Sequence, residues 1–127
     1  MKLKLDNIKQ AQNNIKGVVR RTPLVYSSTF TKLTGYNIYI KCENKQKTGA
    51  FKLRGAYNKI VSLNEEEKKK GVIASSAGNH AQGVAYAASV FGINSTIVMP
   101  VTAPLAKVKA TKGYGAKVIQ CGEVYDE

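Results

Sequence analysis

Val72-Ile-Ala-Ser-Ser-Ala-Gly-Asn-His-Ala-Gln-Gly-Val-Ala-Tyr-Ala-Ala-Ser-Val-Phe-Gly-Ile-Asn-Ser-Thr-Ile-Val-Met99 holds a short apolar run, a small polar turn, an Ala-rich stretch of helical length and a second apolar run. Strand, helix and strand in that order make a βαβ unit, whose two strands lie parallel. The helix is expected from His80 to Phe91 and the second strand within Ile93 to Met99. The alternation continues with a helix from about Pro104 to Lys112 and a third strand across Ala116 to Gln120. This predicts an α/β fold with a parallel sheet in three-layer βαβ units. Ligands on such sheets gather at the carboxyl ends of strands, and Ser75 to Asn79 lies at one of them.

Upstream of Val72, the residues Phe51, Leu53, Ala56, Tyr57, Ile60 and Val61 recur at spacings of three and four, which predicts a helix from about Ala50 to Leu63. Lys52 falls in its first turn. Asn64 then caps Glu65-Glu-Glu-Lys-Lys-Lys70, where acids lead, bases follow and Gly71 stops the helix. That charge run reads as a solvated face. Ile8, Ala11 and Ile15 behind Asp6 predict a first helix to about Lys16, ended by Gly17. Pro23 makes Arg20 to Val25 extended, and a short helix over Ser28 to Leu33 and a strand over Asn37 to Cys42 follow.

The chain has 127 residues, enough for one domain or for part of a larger fold. No run reaches the roughly 20 apolar residues of a spanning helix, so the expected location is the cytoplasm and no membrane partner is expected. A net charge of +12, from 20 cationic and 8 anionic side chains, would ordinarily suggest a polyanion. Here the charge is scattered and no nucleic-acid motif emerges, so a basic polyanion-binding module is the weaker alternative and no nucleic-acid partner is expected. With one histidine, a zinc site of three or four protein ligands is hard to assemble. Cys42 and Cys121 lie far apart in strand-like runs and are expected to be buried free thiols.

Two stretches carry chemistry. A lysine at a helix start meets the positive end of the helix dipole, which disfavours the ammonium form, and Phe51 beside it would add desolvation. A neutral amine attacks aldehydes, the step that loads pyridoxal phosphate onto an enzyme. On position alone, the simpler reading of Lys52 is one solvated lysine among many. The turn Ser75-Ser-Ala-Gly-Asn-His80 offers Gly78 for close backbone approach, helix-start N–H groups for a carboxylate and an Asn amide for a ring oxygen. Alone, it reads as an ordinary helix cap, and His80 as a packed or capping histidine.

Taken together the motifs say more. Thr22-Pro-Leu24, Lys41-Cys-Glu-Asn44, Gln46, Thr48-Gly-Ala-Phe-Lys-Leu-Arg-Gly-Ala56, Ser76-Ala-Gly-Asn-His-Ala-Gln-Gly83, Met99-Pro100 and Lys109-Ala-Thr-Lys-Gly-Tyr-Gly-Ala116 occur in an order that resembles the threonine dehydratase (threonine ammonia-lyase) family. These are type II, or tryptophan-synthase-β-like, pyridoxal-phosphate enzymes. The resemblance implies that Lys52 holds pyridoxal 5'-phosphate as a Schiff base and, once displaced by the amino group of threonine or serine, removes the α-proton. The β-hydroxyl then leaves, and a 2-oxo acid and ammonia result. It also implies that Asn79 bonds the phenolic oxygen of the cofactor, that Ser76 and the backbone around Ala77, Gly78, Asn79 and His80 grip the substrate carboxylate, and that Phe51 packs beside the cofactor.

Two departures bear on the chemistry. Ala50 stands where the family commonly has serine. At Ala77, serine racemases of the same group carry a second serine that delivers a proton to the opposite face; alanine has none to give, which favours elimination over racemisation. The resemblance further implies that residues 1–49 belong to a larger domain, that residues 50–127 build most of a smaller one, and that the whole protein is a homo-oligomer. The glycine-rich phosphate loop and the residue that meets the pyridine nitrogen are expected downstream. Asp126 reads as the cap of a further helix, so the chain is expected to be the N-terminal portion of the enzyme, weak or inactive alone. An inactive or regulatory form of the fold is the other alternative.

Overall fold

The computed structural model of the chain describes residues 2–124. Asp126 lies outside the described residues. Helix α1 (Leu5–Asn14) is followed by strand β1 (Leu24–Tyr26), helix α2 (Ser28–Thr34) and strand β2 (Tyr39–Lys41). β1 and β2 pair antiparallel, with Leu24 opposite Lys41 and Tyr26 opposite Tyr39. A 3-10 turn (Glu43–Lys45) leads into helix α3 (Lys52–Val61) and helix α4 (Glu65–Lys70). Strand β3 (Val72–Ser75), helix α5 (Asn79–Val90), strand β4 (Ser95–Met99), helix α6 (Leu105–Gly113) and strand β5 (Lys117–Gln120) then alternate. The strands order β3-β4-β5 and both pairings are parallel, so the βαβ reading of this half holds.

The caps explain why α4 stops and starts where it does. The Asn64 side-chain oxygen accepts the Glu67 N–H at 2.9 Å, and the Glu67 carboxylate accepts the Asn64 N–H at 2.8 Å. This reciprocal box satisfies two donors that the helix leaves open. Asn64→Ala is expected to lower stability by about 1 kcal/mol, read as an earlier urea midpoint. An unmoved midpoint would count against the cap. Gly71 ends the helix at φ +81, and a Cβ there would lie 2.6 Å from the Asn94 carbonyl oxygen, which accepts the Val72 N–H at 2.8 Å. Only glycine lets β3 start against that carbonyl.

The core lies between α3, α5 and one face of the sheet. Leu53, Ala56, Tyr57 and Ile60 of α3 meet Ala81, Val84, Ala85 and Ala88 of α5, with Ile97 and Met99 of β4 beneath. The alanines give α5 little side-chain height, and its packing on α3 is the most extensive helix contact. Residues alternate across the sheet, and the register puts Ile73 and Ile119 on the face opposite Ile97. Ile73 is 74% exposed.

The first helix forms where its apolar spacing predicts; none of its residues is fully buried and Ile8 is 52% exposed, while Ile15, just past its end, packs against the core. One expectation fails here. The cysteines are free but not buried: Cys42 is half-buried and Cys121 exposed. Cys42 follows β2, which has no buried residue, and Cys121 follows β5, an edge strand. Among the described residues, no helix is long and apolar enough to cross a membrane.

Candidate active site

Chain continuity puts the Ser76 turn at the carboxyl end of β3. The Ser76 N–H donates to the Val98 carbonyl at 3.0 Å, which carries the parallel pairing one residue past the strand. Its side chain is buried, and its Oγ accepts the Gly78 N–H at 3.3 Å. Gly78 is the N-cap of α5, and no side chain caps that 12-residue helix. The first N–H groups of a helix have no partner within it, so an uncapped start favours an anion, a carboxylate included. Asn79 and His80, in the first turn, are exposed, while Ala77 and Gly78 are half-buried.

Lys52 is the first residue of α3. Its side chain is exposed, and its Nζ lies 5.2 Å from the centroid of the Phe51 ring. The expectation that Phe51 would desolvate the amine is not met. The ring is 58% exposed, and its face attracts the ammonium as a cation–π contact.

Gly83 brings the two motifs together. A Cβ on Gly83 would lie 3.1 Å from the Leu53 nitrogen and 3.1 Å from the Lys52 carbonyl carbon, so α5 touches the backbone of the lysine itself. Asn79 is one turn earlier on the same face of α5, about 6 Å along the axis. Lys107 of α6 reaches the same place: its Nζ is 3.4 Å from where a Cβ on Gly78 would sit. Nothing in the sequence marked Lys107 among 20 cations. It adds a positive charge beside the uncapped N–H groups.

Two residues after Lys52, Arg54 pairs with Glu43. Nε and Nη2 of Arg54 donate to the two carboxylate oxygens at 2.9 and 2.7 Å, and the Thr22 hydroxyl donates to the same carboxylate. The Arg54 hydrogen bonds hold Glu43 down at about 2 against the opposing cost of burial, with help from Thr22 and from the charges of Arg54 and Lys41. A carboxyl lowered from 4.5 contributes stability that is present above 4.5 and lost as pH falls toward 2. With screening at a partly exposed site discounted, that is about 1–2 kcal/mol. Unfolding free energies measured across this window are expected to fall more steeply for the wild type than for Glu43→Gln; parallel curves would remove the pair from the account.

A groove of about 580 Å³ is lined by Lys16, Arg20, Arg21, Lys41 and Arg54 among others, and includes neither Lys52 nor residues 76–80. His80 faces another, mostly apolar one of about 310 Å³ with Ala56, Ile60, Val72 and Val84. Lys52 lines neither groove, and of residues 76–80 only His80 lines one.

The parallel βαβ sheet thus sets an exposed lysine at one helix start near a second, uncapped helix start, an arrangement on which an α/β enzyme could hold a carbonyl cofactor through an amine. The chain belongs to the family of pyridoxal-phosphate dependent enzymes, which it matches over residues 15–127. It is 60% identical over 123 residues to the L-threonine ammonia-lyase of Thermotoga maritima, covering 97% of this chain and 31% of the relative. It is 56% identical over 124 residues to the catabolic L-threonine dehydratase TdcB of Staphylococcus aureus strain N315, covering 97% of this chain and 36% of the relative. The structure of maize serine racemase superposes with a TM-score of 0.91 at 42% identity, over 98% of this chain and 38% of that one. The chain thus spans about a third of the length of the curated relatives it matches.

The residues present fit pyridoxal phosphate on its aldehyde side. Lys52 presents an exposed amine, the Asn79 amide is exposed one turn from the contact with α3, and Ser76 and the start of α5 leave room for an anion. The glycine-rich loop expected for the cofactor phosphate is not among the described residues.

Proposed function

We propose that the whole protein is a pyridoxal-phosphate-dependent lyase that converts L-threonine, and L-serine, to a 2-oxo acid and ammonia. The observation that carries this reading is the backbone contact at Gly83, which sets the exposed Lys52 beside the uncapped start of α5. The names of the relatives from Thermotoga maritima and Staphylococcus aureus support the choice of threonine.

Bound pyridoxal phosphate supplies an aldehyde carbon for an amine and a conjugated ring that takes up the electron pair left behind when a proton leaves the substrate α-carbon. Lys52 would hold the cofactor through its amine, and the same amine is the base placed to take that α-proton. Ser76 and the N–H groups from Gly78 to His80 bind the substrate carboxylate, with the Lys107 charge nearby. Asn79 would donate to the ring oxygen of the cofactor, and Phe51 would pack beside it. Ala77 carries no proton for the opposite face of the α-carbon, so departure of the β-hydroxyl is the productive outcome. Residues 1–49 belong to the larger domain and 50–127 to the smaller. The exposure of Leu24, Val25, Tyr26, Tyr39 and Ile40 on the β1–β2 pair supports that division, since such a surface belongs against further structure.

The full-length protein is tested with L-threonine and with L-serine in the presence of pyridoxal phosphate. Stoichiometric 2-oxo acid and ammonia from each is the expected result. D-serine as the main product from L-serine would replace the lyase with a racemase, as the likeness to maize serine racemase would then suggest.

A further inference from the structure

We propose that Glu43 and Arg54 are positioning residues, a clamp that fixes Lys52 by tying the first turn of α3 to the segments around Arg20 and Glu43. The proposal rests on Lys52 being the amine that holds the cofactor. The Lys52 side chain itself is exposed, its Nζ 5.2 Å from the centroid of the Phe51 ring, so what the fold holds in place is the backbone from which the amine reaches. One side of that backbone is held by Gly83 of α5. The other is held through Arg54, in the same helical turn.

The clamp has several independent bonds. Arg54 grips both Glu43 oxygens as a fork, the geometry in which a guanidinium and a carboxylate fix each other's orientation as well as their distance. Its Nη2 also donates to the Arg20 carbonyl at 3.2 Å. Gln46 closes on the same residue, accepting the Arg20 N–H at 2.9 Å and donating to its carbonyl at 3.0 Å. The Lys41 amine donates to the Thr22 carbonyl at 2.7 Å, and the Thr22 hydroxyl donates to Glu43. Residues 20–22, 41–46 and the start of α3 are thereby one hydrogen-bonded body, and Glu43 is the single acid in those segments against Arg20, Arg21, Lys41, Lys45, Lys52 and Arg54. Neutralising it leaves Arg54 and Lys41 without their shared counter-charge. The Arg54 fork then opens, and α3 is held on the Gly83 side only.

A pair of this exposure contributes modestly to stability. Placement of a reacting amine is far less forgiving. The proposed carboxylate grip, at residues 76–80, hangs on β4 and α5 and, among the described residues, shares no hydrogen bond with the clamp. Loosening α3 therefore slows the chemical step and leaves substrate binding in place.

The test compares full-length wild type, Glu43→Gln and Arg54→Lys by steady-state kinetics with L-threonine and by borohydride fixation of pyridoxal phosphate followed by peptide mapping. For Glu43→Gln the expected kcat is about 10²-fold lower, the cost of roughly an ångström of misplacement, with KM near wild type. Arg54→Lys keeps the charge without the fork, and its kcat falls in the same direction. After a brief exposure, label on Lys52 is lower in both variants than in wild type. Unchanged kcat and unchanged labelling in a folded Glu43→Gln protein overturn the clamp while leaving Lys52 in its role, as does a raised KM at unchanged kcat. Wild-type label on another lysine overturns the reading of Lys52, and the clamp with it. If Glu43→Gln does not fold, Arg54→Lys decides by the same criteria.

Discussion

Lys52→Ala in the full-length protein is expected to lower kcat for threonine by at least about 10³-fold, within the range that removing a positioned general base produces. The substitution removes two functions at once, since the amine that holds the cofactor is also the group that takes the α-proton. Lys59, on the same helix and also exposed, supplies the comparison. Lys59→Ala removes the same charge from α3 and leaves the rate of 2-oxo acid formation near wild type. If both variants lose activity equally, the effect is one of charge or helix stability and not of the amine at the start of α3. If Lys52→Ala stays near wild-type activity, the mechanism is wrong.

The second large effect is expected at Gly83. Its α-hydrogen faces the Lys52–Leu53 peptide, and even the Cβ of alanine would lie 3.1 Å from two backbone atoms. Backbone cannot swing aside as a side chain does, so the helices must separate. Gly83→Val puts a whole isopropyl group into that contact and is expected to cost about 1–3 kcal/mol of stability by overpacking. It also displaces Lys52 from the Ser76 turn, and kcat falls about 10²-fold. Gly83→Ala shows the same loss in milder form. Gly113 ends α6 with nothing within 4 Å of a Cβ, so Gly113→Ala is expected to leave kcat untouched. Thermal melts and kinetics on the three variants separate these outcomes; a Gly83→Val protein with wild-type stability and rate would mean that α3 and α5 do not meet as described.

How much of this was legible in the chain differs by element. α3 and α4 were readable because their signals are local: apolar residues three and four apart in one, a cap with its partner three residues on in the other. The three parallel strands were readable from short apolar runs set between helices. α1 shows the limit of that reasoning, because apolar spacing gives a face but not what covers it. The cysteines show the same limit for strands, where a residue at a strand end or edge escapes the burial that its composition suggests. The site divides similarly. Lys52 and residues 76–80 stand out only as parts of an ordered set of motifs. Lys107 and the pairing of Glu43 with Arg54 depend on tertiary approach, and in a chain of net charge +12 no single cation announces itself.

Borohydride reduction of the full-length protein with pyridoxal phosphate, followed by peptide mapping, tests the central assignment most directly. One labelled peptide is predicted, with the modification on Lys52. Label on a different lysine, or label spread evenly over many of them, would contradict the account.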